Sequence, residues 1–220
     1  MEWFEHEHDD EHEAHGIQAE AGSAEWRVAE LFGMEHCRLT RSARHAASAA
    51  VSALFSPELG ERALMPEDEV IVISIGPSRL AAEVASCGGV PIPLELSEPT
   101  VDGPRMEALL SFSTRAVVLE HGDVGIKNPL TVRNFCNKYD LWMVESVGDA
   151  WRARYEISGQ NYAAGAIGDW SVAVQSEACA LLARDGLIGL LLERGLHAKT
   201  ALGQHATDAK LGVVAWGMEL

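Results

Sequence analysis

EVIVISI, residues 69–75, is β-branched and apolar at nearly every position. A strand with one wet face alternates polar and apolar residues. An unbroken apolar run instead suits a strand covered on both faces, as in a parallel sheet held between helix layers. The same logic extends outward from this run. Upstream, AEWRVAELFG (24–33) spaces its apolar residues like a helix and stops at Gly33, HCRLT (36–40) reads as a short strand, and RSARHAASAAVSALF (41–55) reads as a helix of small residues. Downstream, the sequence predicts a helix near 79–87, strand VPIPLEL (90–96), a helix near 104–112, strand RAVVLEH (115–121), a helix near 130–138 and strand LWMVES (141–146). Two further apolar runs follow, DWSVAVQ (169–175) and LIGLLLE (187–193), each bounded by glycine and charge. Strand and helix in repeated alternation imply parallel strands joined by crossovers, hence an α/β fold: a three-layer α/β/α sandwich with a mostly parallel sheet.

Composition narrows the function classes. A chain of 220 residues with 47% hydrophobic content supports one good core. The formal net charge is -16, with 17 Lys and Arg spread along the chain, which excludes a nucleic-acid surface and disfavours anionic membranes. No apolar run approaches the roughly 20 residues that span a bilayer. The first residues carry charge where a signal peptide would carry an apolar core, so the expected location is cytoplasmic. Cys37, Cys87, Cys136 and Cys179 are far apart and show no CxxC spacing, which suits reduced core thiols.

Residues 1–24 differ in character from the rest, with His6, His8, His12 and His15 set among acidic side chains. Imidazole and carboxylate are metal ligands, but a run without fixed geometry must be ordered on binding. A flexible, solvated acidic segment explains the same residues, and no metal is expected. Residues 25–220 are then one domain, with LGVVAWGMEL (211–220) and its Trp216 as a returning strand or an interface segment.

Ligands of open α/β sheets sit beyond the carboxyl ends of the strands, which directs attention to the loops after Thr40, Ile75, Glu145 and Gln175. None carries a GxGxxG or GxxxxGK[ST] phosphate cradle.

Four stretches, SALFSPELGERALMPEDEVIVI (52–73), GGVPIPLEL (88–96), NPLTVRNFCNKYDLWMVESVGDA (128–150) and GAIGDW (165–170), resemble in order and spacing the DegT-like sugar-nucleotide aminotransferases. They are most similar to the branch of CDP-4-keto-6-deoxyhexose 3-dehydratases used in lipopolysaccharide sugar synthesis. The resemblance implies the large domain of a fold-type I enzyme dependent on pyridoxal phosphate (PLP). It also implies a dimer with active sites between subunits, and absence of most of the C-terminal small domain.

The resemblance further implies four pieces of cofactor chemistry. A phosphate cradle of the form SGSSA, at a helix N-terminus, corresponds to SARHA, so that Ser42 is kept while Ala43, Arg44 and His45 replace the glycine and two serines. A ring that stacks on the pyridine, worth about 0.5–1.5 kcal/mol beyond area burial, is replaced by Pro77. The aspartate that keeps the pyridine nitrogen protonated is replaced by Ser146, and Asp149 further along the loop reads as a loop carboxylate or helix cap. The phosphate-binding serine of the last motif becomes Val174, and the lysine or histidine that meets the cofactor aldehyde becomes Cys179. Cys179 would need a nearby base or helix N-terminus to act as a nucleophile. Arg44, His45 and Arg79 read as surface charge near the former phosphate end.

The substitutions fall in the loops that carry function, while the buried strands keep their pattern. The expected function is therefore that of a pseudoenzyme without cofactor, acting by binding as a homodimer or as a heterodimer with an active relative. The alternative is a PLP-dependent sugar-nucleotide aminotransferase or 3-dehydratase that works only with a complementing subunit.

Overall fold

The computed structural model describes residues 21–40, 42–157, 159–174 and 179–200. Helix α1 spans Ala24–Phe32, with the Ser23 hydroxyl accepting from the Trp26 amide at 3.1 Å and Gly33 closing the helix at φ 64°. Strand β1 (His36–Thr40) and helix α2 (Ala43–Ser52) follow. After two short 3-10 turns come β2 (Glu69–Ser74), α3 (Leu80–Ser86), β3 (Val90–Glu95), α4 (Gly103–Glu107), β4 (Thr114–Glu120), α5 (Pro129–Tyr139) and β5 (Trp142–Val147). A 3-10 turn at Asp149–Arg152 leads into a hairpin of β6 (Arg154–Ile157) and β7 (Gln160–Ala163). The chain returns through β8 (Trp170–Val174) and β9 (Cys179–Ala183) to α6 (Gly186–Thr200).

Seven strands form one sheet in the order β1-β9-β8-β5-β4-β2-β3. The strands from β8 to β3 run parallel, and β9 alone is reversed, antiparallel to both β8 and β1. Val70, Ile71, Val72 and Ile73 of β2 are all buried because helices cover both faces. On one face α2, α3 and α6 pack Ala46, Leu80, Val84 and Leu192 against Val72, Val118 and Val172. On the other, α1 and the β6–β7 hairpin cover one half, and α4 with α5 covers the rest. The expected three-layer sandwich is the observed one.

Local differences have physical causes. LIGLLLE lies within helix α6, and the strand beside β8 is CALLA of β9, because a short apolar run reads alike as buried helix or buried strand. The helix near 104–112 shortens to Gly103–Glu107. The β6–β7 hairpin is not among the expected strands, although RYEI of β6 alternates polar and apolar residues in the short pattern of a half-buried strand.

Both sheet edges are blunted. β3 carries Pro91 and Pro93 along the outer edge, and on β1 the Glu25 carboxylate accepts the Leu39 amide at 3.0 Å while pairing with Arg38 at 3.0 Å. The SPELGERAL segment closes the amino end of β5. The Trp142 indole donates to the Arg62 carbonyl at 2.9 Å, and the Arg62 guanidinium lies 3.7 Å from the ring centroid. Among the described residues no helix is long and apolar enough to cross a membrane.

Candidate functional site

The carboxyl ends of β1, β2, β4, β5 and β8 share one edge, and the reversed β9 begins there. Cys179 opens β9 and pairs in register with both Thr40 and Val174. One strand further on, Ser146 of β5 pairs with Val172 of β8 and Glu120 of β4. Strand alternation turns Val172 and Cys179 into the core beneath α2, with Val174 packed against it, and places Ser146 on that same face. Helix α2 starts from this edge, so the tertiary structure brings Ser42, Ala43, Arg44 and His45 to the end of the sheet that carries Ser146, Val174 and Cys179. Pro77 joins them from the turn after β2.

The local chemistry of each residue is specific. The Ser42 hydroxyl accepts the His45 amide at 3.2 Å and the Ser42 amide donates to Thr40 Oγ1 at 3.3 Å, so this serine acts as a helix cap. Arg44 is exposed, and Ala43 and His45 are half-buried. Pro77 is exposed in a turn held by Gly76 at φ 77° and by the Ser74 hydroxyl donating to the Gly76 carbonyl at 2.7 Å. Arg79 is exposed at the start of α3. Cys179 is 1% exposed. The Asp149 side chain, the histidines of residues 1–15 and Trp216 lie outside the described residues. Among the described residues, no group of three or more His, Cys, Asp or Glu could hold a metal ion.

Two carboxylates neighbour Ser146, and each is committed elsewhere. Glu120 Oε1 accepts the Leu80 amide at 3.1 Å and the Ser78 hydroxyl, while Ser78 Oγ accepts the Ala81 amide at 3.0 Å. The pair thereby caps α3. Glu145 points to the opposite face and is fully buried. Its Oε1 accepts the amides of Ile167, at 2.7 Å, and Gly168, and its Oε2 accepts the Gly165 amide at 3.2 Å. His121 Nε2 meets the same Oε2 at 2.7 Å. Burial raises the Glu145 pKa, but His121 and the Gly168 and Ile167 amides outweigh it and hold the carboxyl below its ordinary range.

Sequence reasoning missed this buried cluster, which Tyr155 completes with its hydroxyl 3.2 Å from His121 Nδ1. The available signal was a charged residue inside the apolar strand WMVESV, together with a histidine directly after β4. Neither residue announces its partner in a chain where the two stand 24 positions apart.

Comparison with known proteins places this geometry. Over 134 residues the chain is 34% identical to the lipopolysaccharide biosynthesis protein RfbH of Salmonella typhimurium, a match covering 60% of this chain and 31% of that protein. It is 31% identical over 139 residues to a dTDP-4-dehydro-2,6-dideoxy-D-glucose 3-dehydratase of Saccharopolyspora spinosa, covering 59% of this chain and 29% of that one. The chain thus matches about a third of the length of each relative. In fold it is similar to an E. coli GDP-4-keto-6-deoxy-D-mannose-3-dehydratase with bound hydrated PLP, with TM-score 0.67 at 18% identity, covering 77% of this chain and 45% of that one. The fold is that of the fold-type I PLP-dependent enzymes. Residues 19–174 match the family described as DegT/DnrJ/EryC1/StrS aminotransferases, and to that family this chain belongs.

Proposed function

We propose that this chain is a cofactor-free member of its family, corresponding to the large domain, and that it acts by binding: as a homodimer or paired with an active relative. The observation that carries this reading is the state of the edge around Ser146. A PLP ring there needs an anion at the pyridine nitrogen, a flat face above it and an amine or imidazole at the aldehyde. Ser146 carries no charge, and its two acidic neighbours are occupied by helix α3 and by the buried His121 cluster. Pro77 offers no π face. Cys179 is buried in the core beneath α2. The residues present do not fit the cofactor, and no catalytic step is assigned through it.

The scaffold supports the same reading. The strands and crossover helices that position the edge bury apolar clusters on both faces of the sheet, as expected where the fold is still required and the chemistry is not. The direct test is to add PLP to the purified chain and record the visible spectrum before and after borohydride. No yellow species and no reduced adduct by mass is the expected result. A stable chromophore reduced onto the protein overturns the proposal.

A second reading draws on the relatives, which are named for lipopolysaccharide biosynthesis and for sugar 3-dehydration. Here the chain completes a sugar-nucleotide enzyme only together with an intact subunit. Co-expression with such a relative, followed by native mass spectrometry and activity of the isolated mixed dimer, separates the two. A mixed dimer that binds PLP at one site per dimer and matches the activity of the relative alone favours the binding role. Cofactor at both sites favours complementation.

A further inference from the structure

The end of the sheet away from Ser146, where β2, β3 and β4 begin, carries three exposed apolar side chains. Phe112 is fully exposed, Met65 is 65% exposed and Val90 is 39% exposed. They belong to three separate segments: the turn before β2, the start of β3 and the turn before β4. Register brings these segments together, because Glu69 of β2 is level with both Val90 of β3 and Thr114 of β4. The Glu69 amide donates to the Ser113 carbonyl at 2.8 Å, and the Val90 amide donates to the Asp68 carbonyl at 2.9 Å. One exposed apolar residue needs no explanation, but three from separate segments at one edge form a patch.

The backbone beneath the two most exposed residues is held by hydrogen bonds. At Met65, the Asp68 amide donates to the Met65 carbonyl at 3.1 Å, and the Asp68 carboxylate accepts the Met65 amide at 2.7 Å. Within that turn Glu67 adopts φ 72°, a left-handed conformation uncommon for a residue with a β-carbon. Around Phe112, the Ser111 amide donates to Thr114 Oγ1 at 3.0 Å and the Ser113 amide donates to Ser111 Oγ at 3.1 Å. The Glu69 carboxylate accepts both of those hydroxyls. Beside the turns, the β2–β4 register slips between Glu69 and Val70, which leaves Arg115 without a register partner and exposed between buried Thr114 and Ala116. Its guanidinium comes no nearer to Asp68 than 3.8 Å. Backbone fixed in this way has little freedom left to lose when the patch is covered.

We propose that this amino-terminal edge is the face through which two copies of the chain pair, in a two-fold contact centred on Phe112 and Met65. The inference rests on the binding role above and names the surface that serves it. Aromatic residues, Met and Arg are the types that concentrate in interfaces, and Phe112, Met65 and Arg115 supply all three. The charges argue that the occupant is a second copy. Two-fold pairing sets one patch against itself, so the patch must carry both halves of every contact. Arg115 and Glu67 are both exposed beside the apolar residues, so Arg115 of each copy meets Glu67 of the other across the axis. A patch of one sign would repel its own copy. The net charge of -16 opposes approach at long range, but at about 0.15 M salt that repulsion is screened beyond about 8 Å. Ser42, Pro77 and Ser146 stand at the other end of the strands, so this contact leaves their edge uncovered.

Sedimentation of the full chain over a concentration series at about 0.15 M salt tests this. A monomer–dimer equilibrium is expected. Phe112→Ser should weaken it about tenfold or more, as loss of a central anchor does. The urea midpoint should not move, because that side chain lies in solvent. Arg115→Glu and Glu67→Arg should each lose self-pairing, since like charges then face each other at both contacts. An equal mixture of these two variants should pair again, because each contact then joins opposite charges. A wild-type chain that is monomeric throughout, a dimer indifferent to Phe112→Ser, or a mixture that stays monomeric overturns the proposal. A monomer in which Phe112→Ser speeds hydrogen exchange in residues 211–220 also overturns it, and assigns the patch to the chain's own segment. A dimer that survives every variant refutes this surface alone, whereas a reduced PLP adduct in the spectral test refutes the cofactor-free reading whatever the dimer does.

Discussion

Glu120 and Ser146 are register neighbours on β4 and β5, yet the Glu120 carboxylate is held 3.1 Å from the amide of Leu80 at the start of α3. An acid introduced at position 146 therefore meets a neighbour that is already charged. Ser146→Asp is expected to lower stability by about 0.2–1 kcal/mol through like-charge opposition across the strands. Urea unfolding near neutral pH measures it. The loss should shrink in the presence of Glu120→Gln, as a double-mutant cycle would show; additive effects would mean that the two side chains do not sense each other.

Glu145 makes the strongest prediction about stability. Glu145→Gln keeps the shape but turns an amide donor toward a site filled with N–H groups. A loss of about 1–3 kcal/mol is expected, the desolvation cost of buried donors left unsatisfied. Thermal and urea unfolding should agree in direction, and a change below about 1 kcal/mol would show the cluster to be dispensable.

The pH dependence of that residue follows from the sign of its shift. The folded carboxyl lies below its ordinary range, so its contribution is fully present above the unfolded value of about 4.3 and is lost as pH falls through the folded one. Acid unfolding of the wild-type chain should steepen below about pH 4, and the Glu145→Gln variant should lack that component. Parallel acid limbs would remove Glu145 from the account.

Gly168 tests the loop that surrounds Glu145. A β-carbon there would stand 2.9 Å from the Trp170 carbonyl oxygen and 3.0 Å from that of Met143. Both obstacles are backbone, so Gly168→Ala should cost about 1–3 kcal/mol through overpacking. Equal melting curves for the variant and the wild-type chain would show that the loop yields freely.

Trp142 tests the SPELGERAL segment. Trp142→Phe removes the indole bond to the Arg62 carbonyl and weakens the guanidinium contact, and should cost about 1–2 kcal/mol. If the segment is anchored there, Arg62→Ala in the same background adds less than it does alone.

The sequence by itself determined the layered fold, because buried strands such as EVIVIS and bounded helices such as AEWRVAELF write their environment into their periodicity. It also marked the edge on which Ser42, Pro77, Ser146, Val174 and Cys179 converge, since parallel strands place their carboxyl ends together. Only the tertiary structure decided the reversal of β9, the helical state of LIGLLLE and the duties of Glu120, Glu145, His121 and Tyr155. Periodicity reports which face of an element is buried. It carries no information on which polar group, tens of residues away, comes to satisfy a buried charge.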